Sequence, residues 1–165
     1  MPRIKPITGK ADVPAEHHAV VDAVEKVFGG IRGPFSMLLH SPGLAGRLLP
    51  LVTFFRDGSV VDPKLRSVAI LTAVREREAA YVWSAQVAAA RRNGLEEDVI
   101  DRLRAKGDAA KLPAEERDLV TYVRQLMRTN KVDQKAFDRL RGRHDEQWMV
   151  EMTAAANYFA FLSGV

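Results

Sequence analysis

The 165-residue chain has no cysteine, which removes several kinds of chemistry at once. Without a thiol it can form no disulfide, no iron–sulfur cluster, no cysteine zinc site and no thiolate nucleophile. Aromatic residues are scarce at 7%, whereas 47% of the residues are hydrophobic and 28% are charged. This balance is typical of a globular domain and excludes a disordered or fibrous chain.

The sequence also lacks long apolar runs and an excess of one charge. No stretch approaches the roughly 20 apolar residues of a membrane span, and residues 1–14 are too polar for a secretory signal. The 25 basic and 21 acidic residues give a net charge of +4 that is spread along the chain. We therefore expect no membrane contact, no nucleic-acid partner and a cytoplasmic location.

Helical periodicity runs through almost the whole sequence, and no segment predicts a strand. Capping signals mark several helix starts, among them Ser41, Asp62 and Asp133, and Gly29 marks a helix end. The interpretation is an all-α fold, a compact bundle of about eight helices with short loops.

Proline and small residues add detail to this bundle. Residues 1–13 predict an extended N-terminal arm, and residues 14–165 predict a single helical domain. Pro50 lies inside a predicted helix, where its missing N–H is expected to kink the helix or break it in two. Alanine-rich segments at 79–90 and 153–156 predict the centre of the bundle or a subunit interface, because small side chains let helices approach closely.

The central sequence carries a recognisable pattern. The runs LRSVAIL at 65–71 and REAAYVWSAQVAAARRNGL at 77–95 resemble the carboxymuconolactone decarboxylase and alkylhydroperoxidase D superfamily, as does LLHSPGLAGRLLPL at 38–51. The resemblance extends over roughly residues 34–162. It implies an alkylhydroperoxidase D-like helical fold and a homo-oligomer, either a trimer or a hexamer.

The peroxidase branch of this superfamily uses a glutamate, a Cys-x-x-Cys pair and a histidine. By the resemblance, these positions correspond in this chain to Ser67, to Ala79 and Val82, and to Gln86. Thiol peroxidase chemistry needs a thiolate and a resolving thiol, and the chain has neither. A peroxidase function is therefore excluded.

The decarboxylase branch needs no cysteine. Its members typically have Glu-Tyr-Glu-Trp followed by a histidine, and here the tyrosine and tryptophan are kept as Tyr81 and Trp83. The glutamates are replaced by Ala80 and Val82, and the histidine by Gln86. A glutamine forms hydrogen bonds but does not titrate, so the family's proton-transfer residue is absent.

Two residues remain as candidate catalytic groups, His40 and Glu78. Histidine is the usual acid–base residue near neutral pH, although His40 could equally pack at a helix end. Glu78 could act as a base if it were buried, or be a solvated member of the charged run 75–78. His144, in a basic loop, is expected to be solvated.

Five further residues are candidates for binding a substrate: Arg66, Ser67, Tyr81, Trp83 and Gln86. Arg66 could hold a carboxylate in a bidentate pair or form an ion pair within the protein. Ser67 and Gln86 could line a neutral pocket or be filled core positions. Tyr81 and Trp83 could form the pocket wall or lie between subunits. No metal site and no cofactor are predicted.

The resemblance implies a carboxymuconolactone decarboxylase-like protein, with a cofactor-independent lyase acting on a small organic acid or lactone as the first hypothesis. The alternative is a non-catalytic small-molecule-binding or structural oligomeric protein that keeps the fold without the catalytic residues. Whether the chain is an enzyme stays open at this point, because fold likeness alone does not establish function.

Overall fold

The computed structural model describes residues 3–165 and divides the chain into two compact units. The first unit comprises the residues up to Gly58 together with Val165, and the second comprises residues 59–164. Every regular element in the described part of the chain is helical, so the all-α prediction is confirmed. Met1 and Pro2, the start of the predicted arm, lie outside the described residues. The prediction of one domain over 14–165 stays a prediction.

The first unit contains three α-helices and two short helical turns near its start. The helices are α1 (His18–Phe28), α2 (Pro34–Leu38) and α3 (Pro42–Thr53). Gly29 ends α1 as predicted, with a φ of 71° that glycine adopts without strain and an N–H that donates to the Glu25 carbonyl. Ser41 precedes α3 as predicted, but its hydroxyl does not cap the helix.

The N-terminal segment that was predicted as an arm makes contacts within the first unit, and its description as a separate arm stays a prediction. Ile7 and Val13 are each only 5% exposed, and the Ile7 N–H donates to the Ser36 carbonyl at 2.9 Å. The Nε2 of His18 donates to the Val13 carbonyl at 3.0 Å. The segment is thus folded within the first unit, because two apolar side chains and the backbone find partners there.

The break that was one of the two predicted outcomes at Pro50 is not found, and the kink stays a prediction. Helix α3 continues past Pro50 to Thr53 and then widens into a π-helical turn over Phe54–Gly58. The Thr53 hydroxyl donates to the Pro50 carbonyl at 2.9 Å. The burial of Leu49 beside the proline helps to hold the helix together. The irregularity therefore appears one turn later, as a wider turn.

The second unit holds the remaining six α-helices of the described chain. They are α4 (Pro63–Glu76), α5 (Ala80–Arg92), α6 (Glu97–Arg104), α7 (Ala114–Thr129), α8 (Gln134–Arg141) and α9 (Glu146–Leu162). Among the described residues, no helix is both long and apolar enough to cross a lipid bilayer.

Helix α4 is the centre of the second unit. Each of its ten residues from Leu65 to Val74 is buried, and it packs chiefly against α7, α9 and α5. A helix that is apolar on nearly all sides needs neighbours on all sides. The alanine-rich helix α5 is less buried, since Ala85 and Ala88 are exposed; its predicted alternative place in a subunit interface stays a prediction.

Aspartates cap three α-helices of this unit through their side chains. Asp62 accepts from two N–H groups at the start of α4, as its position before Pro63 predicted. Asp133 accepts from the Ala136 N–H at the start of α8, also as predicted. Asp145 does the same for α9. Each cap satisfies backbone donors that would otherwise lack partners.

A buried carboxylate joins α7 to α8 and to the segment that follows α8. Asp118, only 2% exposed, lies 2.8 Å from Arg143, 2.9 Å from Arg139 and 3.5 Å from Arg117. Burial by itself raises the pKa of Asp118, but the hydrogen bond and charge of Arg143, with the charges of Arg117 and Arg139, outweigh it and lower the pKa. Asp118 is therefore ionised and compensated at neutral pH.

His144 is not solvated as the sequence suggested. Its ring stacks on Trp148 with a centroid distance of 3.7 Å and an interplanar angle of 6°. Its Nε2 lies 3.1 Å from a carboxylate oxygen of Glu115, and its side chain is only 13% exposed. The aromatic partner is four residues away on α9, which a loop assignment from composition could not indicate.

We expect Asp118→Asn to lower the free energy of unfolding by about 1–3 kcal/mol at pH 7, because three guanidinium groups lose their shared anion. Since the folded-state pKa of Asp118 is lowered, the wild-type advantage should be full above about pH 4 and should shrink as the pH falls below it. Urea unfolding of the wild type and the variant at several pH values measures the difference in the free energy of unfolding and its dependence on pH. Asp98→Asn, at an exposed position, is the control and should change stability by less than about 0.5 kcal/mol.

Candidate functional site

The seven predicted site residues fall in both units. His40 follows α2 in the first unit. The other six lie on or between the two consecutive helices α4 and α5 of the second unit, which pack together. They are Arg66, Ser67, Glu78, Tyr81, Trp83 and Gln86.

Ser67 is buried and its hydroxyl is already engaged. It donates to the Pro63 carbonyl at 2.9 Å and accepts from the Asn93 amide at 3.0 Å. The same amide lies 3.3 Å from the Pro63 carbonyl, so Asn93 ties the end of α5 to the first turn of α4. This side-chain role of Asn93 was not predicted from the sequence.

Arg66 is one of the few charged residues in the core, at 6% exposure. Its guanidinium donates to the Val61 carbonyl at 3.1 Å, which fastens the segment before α4 onto the helix. A substrate carboxylate would have to reach a group that is almost completely covered. Its predicted role in substrate binding stays a prediction.

Glu78 lies in the turn between α4 and α5 with a φ of 57°, in the left-handed region. Its side chain is 72% exposed, and it accepts a hydrogen bond from Lys106 at 3.0 Å. The hydrogen bond and charge of Lys106, with the charge of Arg75, hold the pKa of Glu78 below its usual value. A carboxylate with a lowered pKa is a weaker base, so this setting does not favour proton abstraction.

The three candidates on α5 differ in exposure. Tyr81 is 56% exposed, whereas Trp83 is partly buried against the core of the second unit. Gln86 is also partly buried, and its amide makes no hydrogen bond within the described residues. The choice between a pocket wall and a subunit contact for Tyr81 and Trp83 stays open.

His40 is exposed and holds the N-terminal segment. Its Nε2 donates to the Lys5 carbonyl at 2.9 Å, so the ring nitrogen that carries the proton is used within the first unit. Its catalytic role stays a prediction. Among the described residues, no group of three or more His, Asp and Glu side chains is arranged to hold a metal ion.

An open depression lies along the end of α9 in the second unit, and sequence reasoning did not identify it. Its volume is about 500 Å³, and we call it the α9 depression. The lining residues are Arg77, Asn157, Ala160, Phe161, Ser163 and Gly164. The one sequence feature that could have indicated this depression is Phe161, near the end of the chain, whose side chain is 44% exposed.

The helical fold matches solved structures that share one architecture. A peroxidase-related protein from Ralstonia eutropha, described as an alkylhydroperoxidase AhpD core, superposes with a TM-score of 0.78 over 97% of this chain and 86% of that one, at 15% identity. The chain has the alkylhydroperoxidase D-like fold. The fold implied by the sequence resemblance is thus confirmed.

Two further structures share this alkylhydroperoxidase D-like fold. The debrominase Bmp8 in complex with 2,3,4-tribromopyrrole has a TM-score of 0.75 and 17% identity over 99% of this chain and 88% of that chain. A protein of unknown function from Agrobacterium tumefaciens has a TM-score of 0.65 and 16% identity over 80% and 91%. No family model matches the sequence, and no curated protein matches it either.

We expect Ser67→Ala to destabilise the protein by about 1 kcal/mol, because the Asn93 amide loses its hydroxyl acceptor in a buried place. Chemical unfolding measures the change. Ser84→Ala, on the exposed side of α5, is the matched control and should leave stability equal or slightly higher, because alanine favours helix. Equal stability of Ser67→Ala and the wild type would contradict a structural role for this hydroxyl.

Proposed function

We propose that this chain is a small-molecule-binding protein that keeps the alkylhydroperoxidase D-like fold without a thiol or acid–base reaction of its own. One observation carries the proposal. The hydroxyl of Ser67 and the carboxylate of Glu78, the reactive groups left near the family's site, are both bonded to other groups of the chain. The Ser67 hydroxyl uses its donor and one acceptor site within the fold, and the Glu78 carboxylate is paired with Lys106.

Other residues of the second unit also support a binding protein without thiol or acid–base catalysis. Ala79 and Val82 are inert, and Gln86 can only donate or accept a hydrogen bond. The Tyr158 phenol is no better suited to proton transfer, because burial raises its pKa to about 12. General acid–base catalysis works best with a group that titrates near the operating pH.

A fold neighbour supports the binding of a small molecule. The debrominase Bmp8 was solved with 2,3,4-tribromopyrrole, a small heteroaromatic compound. A fold that accommodates such a molecule in one protein offers a framework for ligand binding in another, even where the chemistry differs.

The competing hypothesis is a cofactor-independent lyase on a small organic acid or lactone, with His40 or Glu78 moving the proton. We expect no carbon dioxide release above the buffer rate when the protein is incubated with γ-carboxymuconolactone and related keto acids. A thermal-shift screen of small metabolites on the same preparation should find compounds that raise the melting temperature, since ligands of the folded state stabilise it.

If carbon dioxide is released above the buffer rate and this release is lost in His40→Ala or Glu78→Ala, the protein is a lyase instead. His17→Ala is the matched control for His40, because its ring makes no hydrogen bond within the described residues. The absence of both turnover and any stabilising compound would contradict the binding function as well.

A structural oligomer is the second candidate, and the outer face of α5 favours it. Four exposed residues form this α5 face: Tyr81, Ala85, Ala88 and Arg92. Their spacing of four, three and four reads the same in both directions. In an antiparallel pair of α5 helices from two copies, the alanines would meet at the crossing and each tyrosine ring would meet an arginine of the other copy.

We expect the protein to scatter light as an oligomer at micromolar concentration and Ala88→Glu to shift it towards smaller species. The glutamate would bury a charge at the crossing without a partner. Ala114→Glu is the matched control, since Ala114 is exposed at the start of α7, where a carboxylate is favourable. A monomeric wild type would rule out the oligomer.

A further inference from the structure

The charged run Arg75–Glu78 at the end of α4 contains one residue that differs from its neighbours. Arg75 donates to the Arg104 carbonyl at 2.7 Å, and Glu78 pairs with Lys106. Glu76, in turn, accepts two hydrogen bonds from Arg128 at 2.9 Å each. Arg77 alone has no hydrogen bond or ion pair from its side chain within the described residues, and it is exposed.

The unpaired Arg77 side chain lies beside a concave surface. Arg77 borders the α9 depression, whose volume of about 500 Å³ lies within the range of about 300–1,000 Å³ that small-molecule sites occupy. Exposed arginines are common, but most in this chain face a carboxylate or a carbonyl of the chain itself. Here the guanidinium meets an open concave surface instead.

The other residues that line the α9 depression include both apolar and polar side chains. Phe161 and Ala160 provide an apolar wall, and Phe161 is 44% exposed although it lies on a long helix of the core. The Asn157 side chain donates one N–H to the Thr153 carbonyl, which leaves its oxygen and second N–H available to a ligand. The depression thus combines one cation, one amide and one aromatic ring.

We infer that the α9 depression binds a small aromatic carboxylate. The Arg77 guanidinium takes the carboxylate in a bidentate pair, Phe161 packs against the ring of the ligand, and Asn157 adds a hydrogen bond. This inference rests on the proposed binding function and names the site and the ligand class. A single cation suits one negative charge, and the apolar wall would contribute nothing to a fully hydrated anion such as phosphate.

Benzoate is the simplest probe of this site. A ¹H–¹⁵N titration of the full chain with benzoate should shift the side-chain signals of Arg77 and Asn157. Benzamide, which keeps the ring without the charge, and acetate, which keeps the charge without the ring, should each bind at least about fivefold more weakly. Equal affinity for all three compounds would overturn the inference.

Substitutions test whether benzoate binds in the α9 depression. Arg77→Gln should weaken benzoate at least about fivefold, and Arg77→Lys should give an intermediate value because lysine keeps the charge but not the planar fork. Phe161→Ala should weaken benzoate and leave acetate unchanged. Arg3→Gln is the matched control, an exposed arginine outside the depression with no side-chain partner in the described chain, and should bind as the wild type does.

The results separate this inference from the function on which it rests. If benzoate fails to bind, or binds Arg77→Gln as well as the wild type, the inference is wrong while metabolites that raise the melting temperature still support a binding protein. If the lactone is turned over, the binding function is wrong whatever benzoate does. Thermal unfolding of each variant shows that the fold is kept.

Discussion

The second unit depends on the complete burial of one helix. Because α4 has neighbours on nearly every side, any polar group on it must be satisfied from within the protein. Arg66 and Ser67 meet this demand by donating to carbonyls just before the helix and at its start, and Thr72 by donating to the Val68 carbonyl one turn earlier in the helix. Helix α4 is therefore a closed structural element of the second unit.

Most of the architecture could be read from the sequence because its causes are local. Asp62 and Asp133 cap helices through N–H groups two or three residues away, and Gly29 ends a helix through its own backbone freedom. The features that were not predicted depend on tertiary contacts. Helix α3 continues through Pro50, and α4 is the helix of the second unit that is buried over ten consecutive residues.

The candidate site was less predictable, because its decisive contacts are distant along the chain. Asn93 lies 26 residues from Ser67, and Lys106 lies 28 residues from Glu78. No periodicity or spacing rule links such pairs. The resemblance identified which positions to examine, but only the structure gives the partners that occupy them. Arg77 was not predicted as a site residue for a different reason. What distinguishes it is that its side chain has no partner within the described residues.

The contact between α4 and α9 has a consequence for biosynthesis. The two helices are among the most extensively packed in the second unit, yet α9 is the last helix of the chain and ends at Leu162. During translation, the side of α4 that α9 covers stays open to water until about 85 further residues have been made. Proteolysis or stalling before α9 is made therefore leaves a product in which one main packing partner of α4 is missing and that side of the helix is uncovered.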